Sequence, residues 1–310
     1  MAIAALPEQE PVPKSLHDIP GWFYWADQHL FDLLLDAQLE TPPGTLVELG
    51  AFKGKSAVLI GRHLRPGERF VVCDLFGAPA EDLGNATEND RSYRSLTREA
   101  FERNYLAFHD VLPEIIHDVS ASIVEHVDPG SARFVHVDAS HLYHHVRGDI
   151  ESARHMLRRD GIVVFDDYRS EHTPGVAAAV WQAVAQDGLV PFAHTPNKLY
   201  ATFGDPTEYL LTIEAWAARS AGFSAIEEHV GPARMLRVKH QPAAKAASAA
   251  PAVVLSDVAK DVKQTKAAVQ RLERSLGVGS GSRQAAATLL EDLLPPALLR
   301  VARRAARRRS

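Results

Sequence analysis

Apolar residues fall along this chain in two alternating kinds of segment. Short runs that are apolar almost throughout (Thr45–Leu49, Arg69–Asp74, Ile115–His117, Arg133–Val137 and Gly161–Phe165) predict strands buried on both faces. Between them, apolar residues recur at helical spacing and predict helices over Ser56–Leu64, Leu96–Leu106, Ala121–His126 and Tyr143–Leu157. This alternation predicts an α/β fold with a mostly parallel central sheet and helices on both faces. Upstream, Phe23, Ala26, Leu30, Leu33, Leu34 and Ala37 predict a helix over Trp22–Leu39, ended by Thr41-Pro42-Pro43-Gly44. Downstream, Val176–Gln186 reads as a helix, and Lys198–Phe203 and Arg234–Lys239 as closing strands.

The pattern breaks at both ends. Residues 1–18 are rich in proline and charge and read as poorly ordered, so the α/β domain is expected over 19–240. Residues 241–253 read as an Ala/Pro linker. The tail, 254–310, starts with apolar residues at heptad-like intervals (Val254, Val258, Val262, Val269, Leu272, Leu276) and ends in a run of arginines from Arg300 to Arg309. Its end has the composition of a segment that rests on an anionic membrane face or an acidic partner, and equally of a solvated extension. Pro295 and Pro296 interrupt any continuous helix there.

A net charge of -5 over 310 residues does not call for nucleic acid as a partner. Cys73 is the only cysteine, so no intrachain disulfide forms, in keeping with a reducing cytoplasm. The first residues lack a secretory pattern, and no apolar run is long enough to span a bilayer. The expected setting is cytoplasmic, with the tail offering peripheral contact at the inner membrane face. Both a monomer and a homo-oligomer are compatible with the sequence.

Candidate chemistry lies at the strand ends. The turn after the first strand reads Val47-Glu48-Leu49-Gly50-Ala51-Phe52-Lys53-Gly54-Lys55-Ser56. Gly50 and Gly54 let backbone approach a ligand at a helix start, yet the spacing is neither GxGxxG nor a P-loop. Glu48 would repel phosphate and suits a cationic or hydroxyl-bearing ligand. Asp74, ending the second strand, can accept hydrogen bonds from both hydroxyls of a ribose. The fourth strand runs into Asp138-Ala139-Ser140-His141 and the fifth into Asp166-Asp167. Taken singly, such acids are turn or capping residues and His141 a surface histidine. Taken together at the carboxyl edge of one sheet, three carboxylates without a thiol suit magnesium, calcium or manganese, with His141 as general base. His144, His145 and His172 read as exposed, with pocket lining by His144 and substrate contact by His172 as the alternatives.

These motifs carry a resemblance. VELGAFKGKSA resembles the first motif of class I S-adenosylmethionine methyltransferases. VDASHLYHHVRGDI followed by GIVVFDDY resembles the metal-dependent O-methyltransferases of the macrocin and mycinamicin type, over roughly Trp22 to Gly204. The resemblance implies a Rossmann-like fold and S-adenosyl-L-methionine as cofactor. Glu48, Gly50 and Ser56 would line its methionine part beside Gly54, Asp74 would hold the ribose, and Asp118 and Ser120 would lie in the adenine turn. It further implies that Asp138, Asp166 and Asp167 hold Mg2+ or Mn2+, and that His141 is the base. The implied acceptor is a hydroxyl of a sugar, glycan or glycosylated natural product, with a catechol-like phenol as an alternative. Two departures stand out: the adenine turn lacks the usual glycine, and Asp166 replaces a frequent glutamate. The cephalosporin hydroxylase-like group shares this layout and brings the alternative of other chemistry, or of cofactor binding alone. Trp22–Trp25 and the loop Ala78–Ser95 are candidate lid segments.

Overall fold

The computed structural model describes residues 11–78 and 96–241. Five strands, β1 (Thr45–Leu49), β2 (Phe70–Cys73), β3 (Glu114–Ile116), β4 (Ala132–Val137) and β5 (Leu157–Phe165), pair in parallel in the order β3-β2-β1-β4-β5. The sheet continues through β6 (Val190–His194), β7 (Leu199–Thr202), β8 (Phe223–Val230) and β9 (Ala233–His240) in the order β5-β7-β6-β9-β8. β7 is antiparallel to both β5 and β6, and β8 is antiparallel to β9. Among the described residues six α-helices flank it: α1 (Trp25–Ala37), α2 (Lys55–Gly61), α3 (Arg98–Leu106), α4 (Tyr143–Met156), α5 (Pro174–Gln186) and α6 (Thr207–Ala217). The described residues therefore form a mixed α/β, Rossmann-like fold.

Side-chain alternation along β1 and β4 divides the core. Leu46 and Phe134 pack with Phe31, Leu34, Val58 and Phe101 from α1 to α3, while Val47, Leu49, Val135 and Val137 pack with Val146, Ile150, Val176 and Val180 from α4 and α5. Burial on both faces explains why these strands read as continuous apolar runs.

At the amino ends of the strands a charged cluster ties the chain together. Arg133 on β4, wholly buried, donates to Glu68 Oε1 and Oε2 at 2.9 and 2.8 Å, to Gln38 Oε1 at 3.0 Å and to the His63 carbonyl at 2.7 Å. Glu68 also accepts from Arg65 Nε and from the Gly44 backbone N–H, each at 2.8 Å. Burial opposes its charge, but Arg133 and Arg65 outweigh that and hold its pKa down at about 2.

Several expectations change. Ala121–His126 is part of a 3-10 turn, Ser120–Glu125. β6, β8 and α6 were not anticipated. β6 contains Pro191, accommodated where its pairing with β7 shifts register, and half-exposed β8 carries Glu227, Glu228 and His229 in succession. Residues 15–18 differ from the irregular N-terminus expected: Leu16–Asp18 forms a 3-10 turn with Leu16 buried. Most of the linker 241–253, the whole tail 254–310 and most of the loop Ala78–Ser95 lie outside the described residues. Among the described residues no helix is long and apolar enough to cross a membrane.

Candidate active site at the carboxyl edge of the sheet

The turn between β1 and α2 is held from the neighbouring strand. Asp74, just past β2, accepts at Oδ2 from the backbone N–H of Ala51 (2.6 Å) and Phe52 (3.0 Å), and at Oδ1 from that of Phe76 (2.6 Å). A carboxylate offers about four acceptor positions. Backbone N–H groups fill three of them, and the carboxylate lines the cleft. Gly50 has φ of +77°, and a Cβ there would run into the Asp138 carbonyl. Gly54, at φ +88°, caps α2 against the Phe101 ring. Among the described residues the non-glycine positive φ angles occur at Phe52, Phe76 and Asp167, each just beyond the carboxyl end of β1, β2 or β5.

A cleft of about 1270 Å³ opens over this edge. Gly50, Ser56, Asp74, Asp118, Ser120, Asp138, His141, Asp166 and Asp167 all line it, so most of the predicted residues share one cavity. His144, His145 and His172 line it too, His144 and His172 from exposed positions. Exposed Trp22, Tyr24 and Tyr143 stand at its border. Glu48 and Gly54 are not part of the lining.

Asp138, His141 and Asp167 can each bring one ligand atom within 4.8 Å of the others. His141 Nε2 lies 3.3 Å from Asp167 Oδ2. Asp167 is also held by Ser170 Oγ (2.5 Å) and Asn197 Nδ2 (3.2 Å). Burial raises the Asp167 pKa, but the bonds from His141 and Ser170 outweigh it and leave the group below its ordinary value. Asp138 is pushed well above its ordinary value, first by burial and then by Asp166 beside it. Two carboxylates and an imidazole, one carboxylate lacking sufficient counter-charge, fit a hard divalent cation such as Mg2+ or Mn2+.

Asp166 has a different partner from the one expected. Its Oδ2 forms an ion pair with the ammonium of Lys198, which is 1% exposed, and its Oδ1 accepts the Asp167 N–H at 2.8 Å. Lys198 Nζ also lies 3.0 Å from His136 Nε2, and His136 Nδ1 lies 2.8 Å from Glu48 Oε1. An ammonium only donates, so Nε2 accepts and the imidazole proton sits on Nδ1, donating to Glu48. Burial, with Lys198 adding to it, lowers the His136 pKa well below its usual value and keeps the ring neutral. Burial raises Glu48 to about 8. For Lys198 burial works against the charge, but Asp166, Asp138 and Asp27 outweigh it and raise the pKa. His136, Asp138 and Asp166 also bring ligand atoms within 4.8 Å, but both ring nitrogens of His136 are engaged and the Lys198 ammonium already bonds two of the three residues. The three acids therefore differ in their protein partners, and Glu48 is buried in β1 with Oε1 bonded to His136 and Oε2 without a hydrogen-bond partner among the described residues.

Sequence reasoning missed Lys198, His136, Asn197 and Asp149. Asp149 on α4 lines the cleft at 1% exposure, its pKa raised to about 7 by burial, and its Oδ2 has no hydrogen-bond partner among the described residues. The available signals were polar residues at buried positions: a histidine inside β4, a lysine at the mouth of β7, an acid on the inner face of α4.

Residues 47–168 match the family described as a methyltransferase domain. That span takes in most of β1 through β5 and the acidic edge, so the part of the chain that builds the parallel sheet and its reactive rim is similar to a methyltransferase domain. No curated protein matches the chain. Among solved structures, the O-methyltransferase NovP is similar at 18% identity over 58% of this chain and 81% of its own, with a TM-score of 0.46. CalS11, a TDP-rhamnose 3'-O-methyltransferase of calicheamicin biosynthesis, is similar at 18% over 58% and 80%, with a TM-score of 0.41. TomG, an O-methyltransferase of tomaymycin synthesis from Streptomyces achromogenes in complex with SAM, is similar at 16% over 61% and 83%, with a TM-score of 0.41.

Proposed function

We propose that this enzyme transfers the methyl group of S-adenosylmethionine to a hydroxyl oxygen of a carbohydrate or glycosylated small molecule, assisted by a divalent cation at Asp138 and Asp167. One observation carries the reading: the glycine turn with Asp74 and the Asp138–His141–Asp167 cluster face the same cleft. Gly50, Ser56, Asp74, Asp118 and Ser120 line the cofactor half. Asp138 and Asp167 would hold the cation, which would supply Lewis-acid polarisation of the acceptor hydroxyl. His141, oriented by Asp167, accepts the hydroxyl proton as the oxygen–methyl bond forms and the sulfur–methyl bond breaks. The carbohydrate reading is supported by the likeness of the two acidic segments to sugar O-methyltransferases and by the exposed indole of Trp22 at the border of the cleft.

The test is titration calorimetry with S-adenosylmethionine, followed by transfer of labelled methyl to nucleotide sugars, glycosides and catechols. Transfer should stop with chelator, return with Mg2+ or Mn2+, and fall at least about 100-fold in Asp138→Asn and His141→Gln. Full activity of Asp138→Asn in chelator would overturn the metal assignment. Tight cofactor binding without transfer to any hydroxyl acceptor would overturn oxygen methylation.

A further inference from the structure

We infer that Lys198 is a resident cation of this site: it retains Asp166 as its own counter-ion, so the divalent ion is held through Asp138 and Asp167 alone of the three acids. The inference rests on the metal reading above and concerns which side chains share the work.

The geometry is specific. Lys198 stands at the start of β7, antiparallel to β5, and its ammonium bonds both Asp166 Oδ2 and His136 Nε2. The faces of Phe23 and Phe31 lie 5.5 and 6.0 Å from Nζ, which excludes water and adds cation–π attraction. A desolvated ammonium in such a pocket is strongly tied to its carboxylate, because separating them leaves both charges buried and unpaired. Asp166 Oδ1 is also committed, to the backbone N–H of Asp167. A dication seated directly on Asp166 would lie beside the ammonium, and like charges at such range repel strongly outside bulk water. Asp167 has the opposite character: among the described residues its oxygens meet the polar side chains of His141, Ser170 and Asn197 and no lysine or arginine pairs with it. The pair therefore makes Asp166 a positioning residue that orders the backbone N–H of Asp167, and leaves a two-carboxylate site from which the ion exchanges readily.

The experiment is Mn2+ binding by electron paramagnetic resonance on the full chain, free of acceptor, with thermal melts to confirm folding. The pair-neutral variant Asp166→Asn/Lys198→Met keeps both shapes and the net charge. It should bind Mn2+ within about threefold of the unmodified protein, whereas Lys198→Met alone, which frees Asp166, should bind at least about tenfold tighter. Asp138→Asn should bind at least about tenfold weaker. Loss of about thirtyfold or more in the pair-neutral variant would make Asp166 a ligand and overturn the inference, as would unchanged or weaker binding by Lys198→Met. Absence of Mn2+ binding by the unmodified protein would instead overturn the metal reading itself. Should the variants not fold, the anomalous signal of Mn2+ in crystals of the unmodified protein decides: an ion about 2.1 Å from an Asp166 oxygen overturns the inference, and one at that distance from Asp138 and Asp167 only supports it.

Discussion

Glu48 and His136 face each other in register on β1 and β4, joined at 2.8 Å where neither is exposed to water. The pair gives the fold a pH dependence with a definite sign. An acid whose pKa rises on folding from 4.5 to about 8 stabilises the protein most below 4.5, and that stability erodes as pH climbs toward 8. Glu48→Gln keeps an oxygen for the His136 Nδ1 proton but cannot ionise. The unmodified protein should lose Tm between pH 5 and 8, and the variant should lose less, by up to roughly 3 kcal/mol at pH 8. Calorimetric melts that run parallel across this range would show that Glu48 does not titrate there.

Gly50 meets the backbone of Asp138 with no space for a side chain. Gly50→Ala combines a left-handed conformation with that collision and should cost at least about 3 kcal/mol and abolish cofactor binding. Gly67 provides the comparison: its φ is +82° but a Cβ added there would meet nothing within 4 Å, so Gly67→Ala should cost only about 1–2 kcal/mol. Urea denaturation distinguishes the two, and equal losses would place the whole effect in backbone conformation.

Glu68 predicts the opposite pH behaviour. Its pKa is depressed to about 2, so its contribution is present above 4.5 and disappears as pH falls toward 2. Glu68→Gln leaves buried Arg133 without its counter-ion and should cost about 3–5 kcal/mol at pH 7. The difference from the unmodified protein should shrink below pH 4.5; a constant difference down to pH 2 would contradict the ion-pair account.

Trp22 is 67% exposed and stacks on Phe52, centroids 6.0 Å apart, over the cofactor turn. Lys55 Nζ holds its neighbour Gly21 by the carbonyl at 3.0 Å, tethering this segment to α2. An indole so placed suits the apolar face of a sugar ring. Trp22→Ala should raise the acceptor KM about tenfold and leave kcat within about threefold. Steady-state kinetics with the acceptor varied reads this directly, and an unchanged KM would remove Trp22 from acceptor recognition.

The parallel half of the sheet was legible because β1, β2, β4 and β5 are buried on both faces and so advertise themselves as apolar runs. Their ends followed, and with them the convergence of Asp138, His141 and Asp167 on one edge. The antiparallel extension was hidden: a proline interrupts β6, and β8 lies half-exposed with mixed polarity. Lys198 was invisible as a site residue because Asp166 and His136, which give it meaning, lie 32 and 62 positions away. The His136 partner of Glu48 was hidden for the same reason, since it is set by strand register.

Arg133 and Asp138 lie at opposite ends of one strand and its following turn, so the residues that fasten the molecule and those that react are separated by roughly 16 Å of extended chain. Loops over the reactive edge can thus be exchanged or redesigned to admit new acceptors while the fastening at the far end stays intact. Such a division makes this scaffold tolerant of grafts where chemistry is chosen, and intolerant where the strands begin.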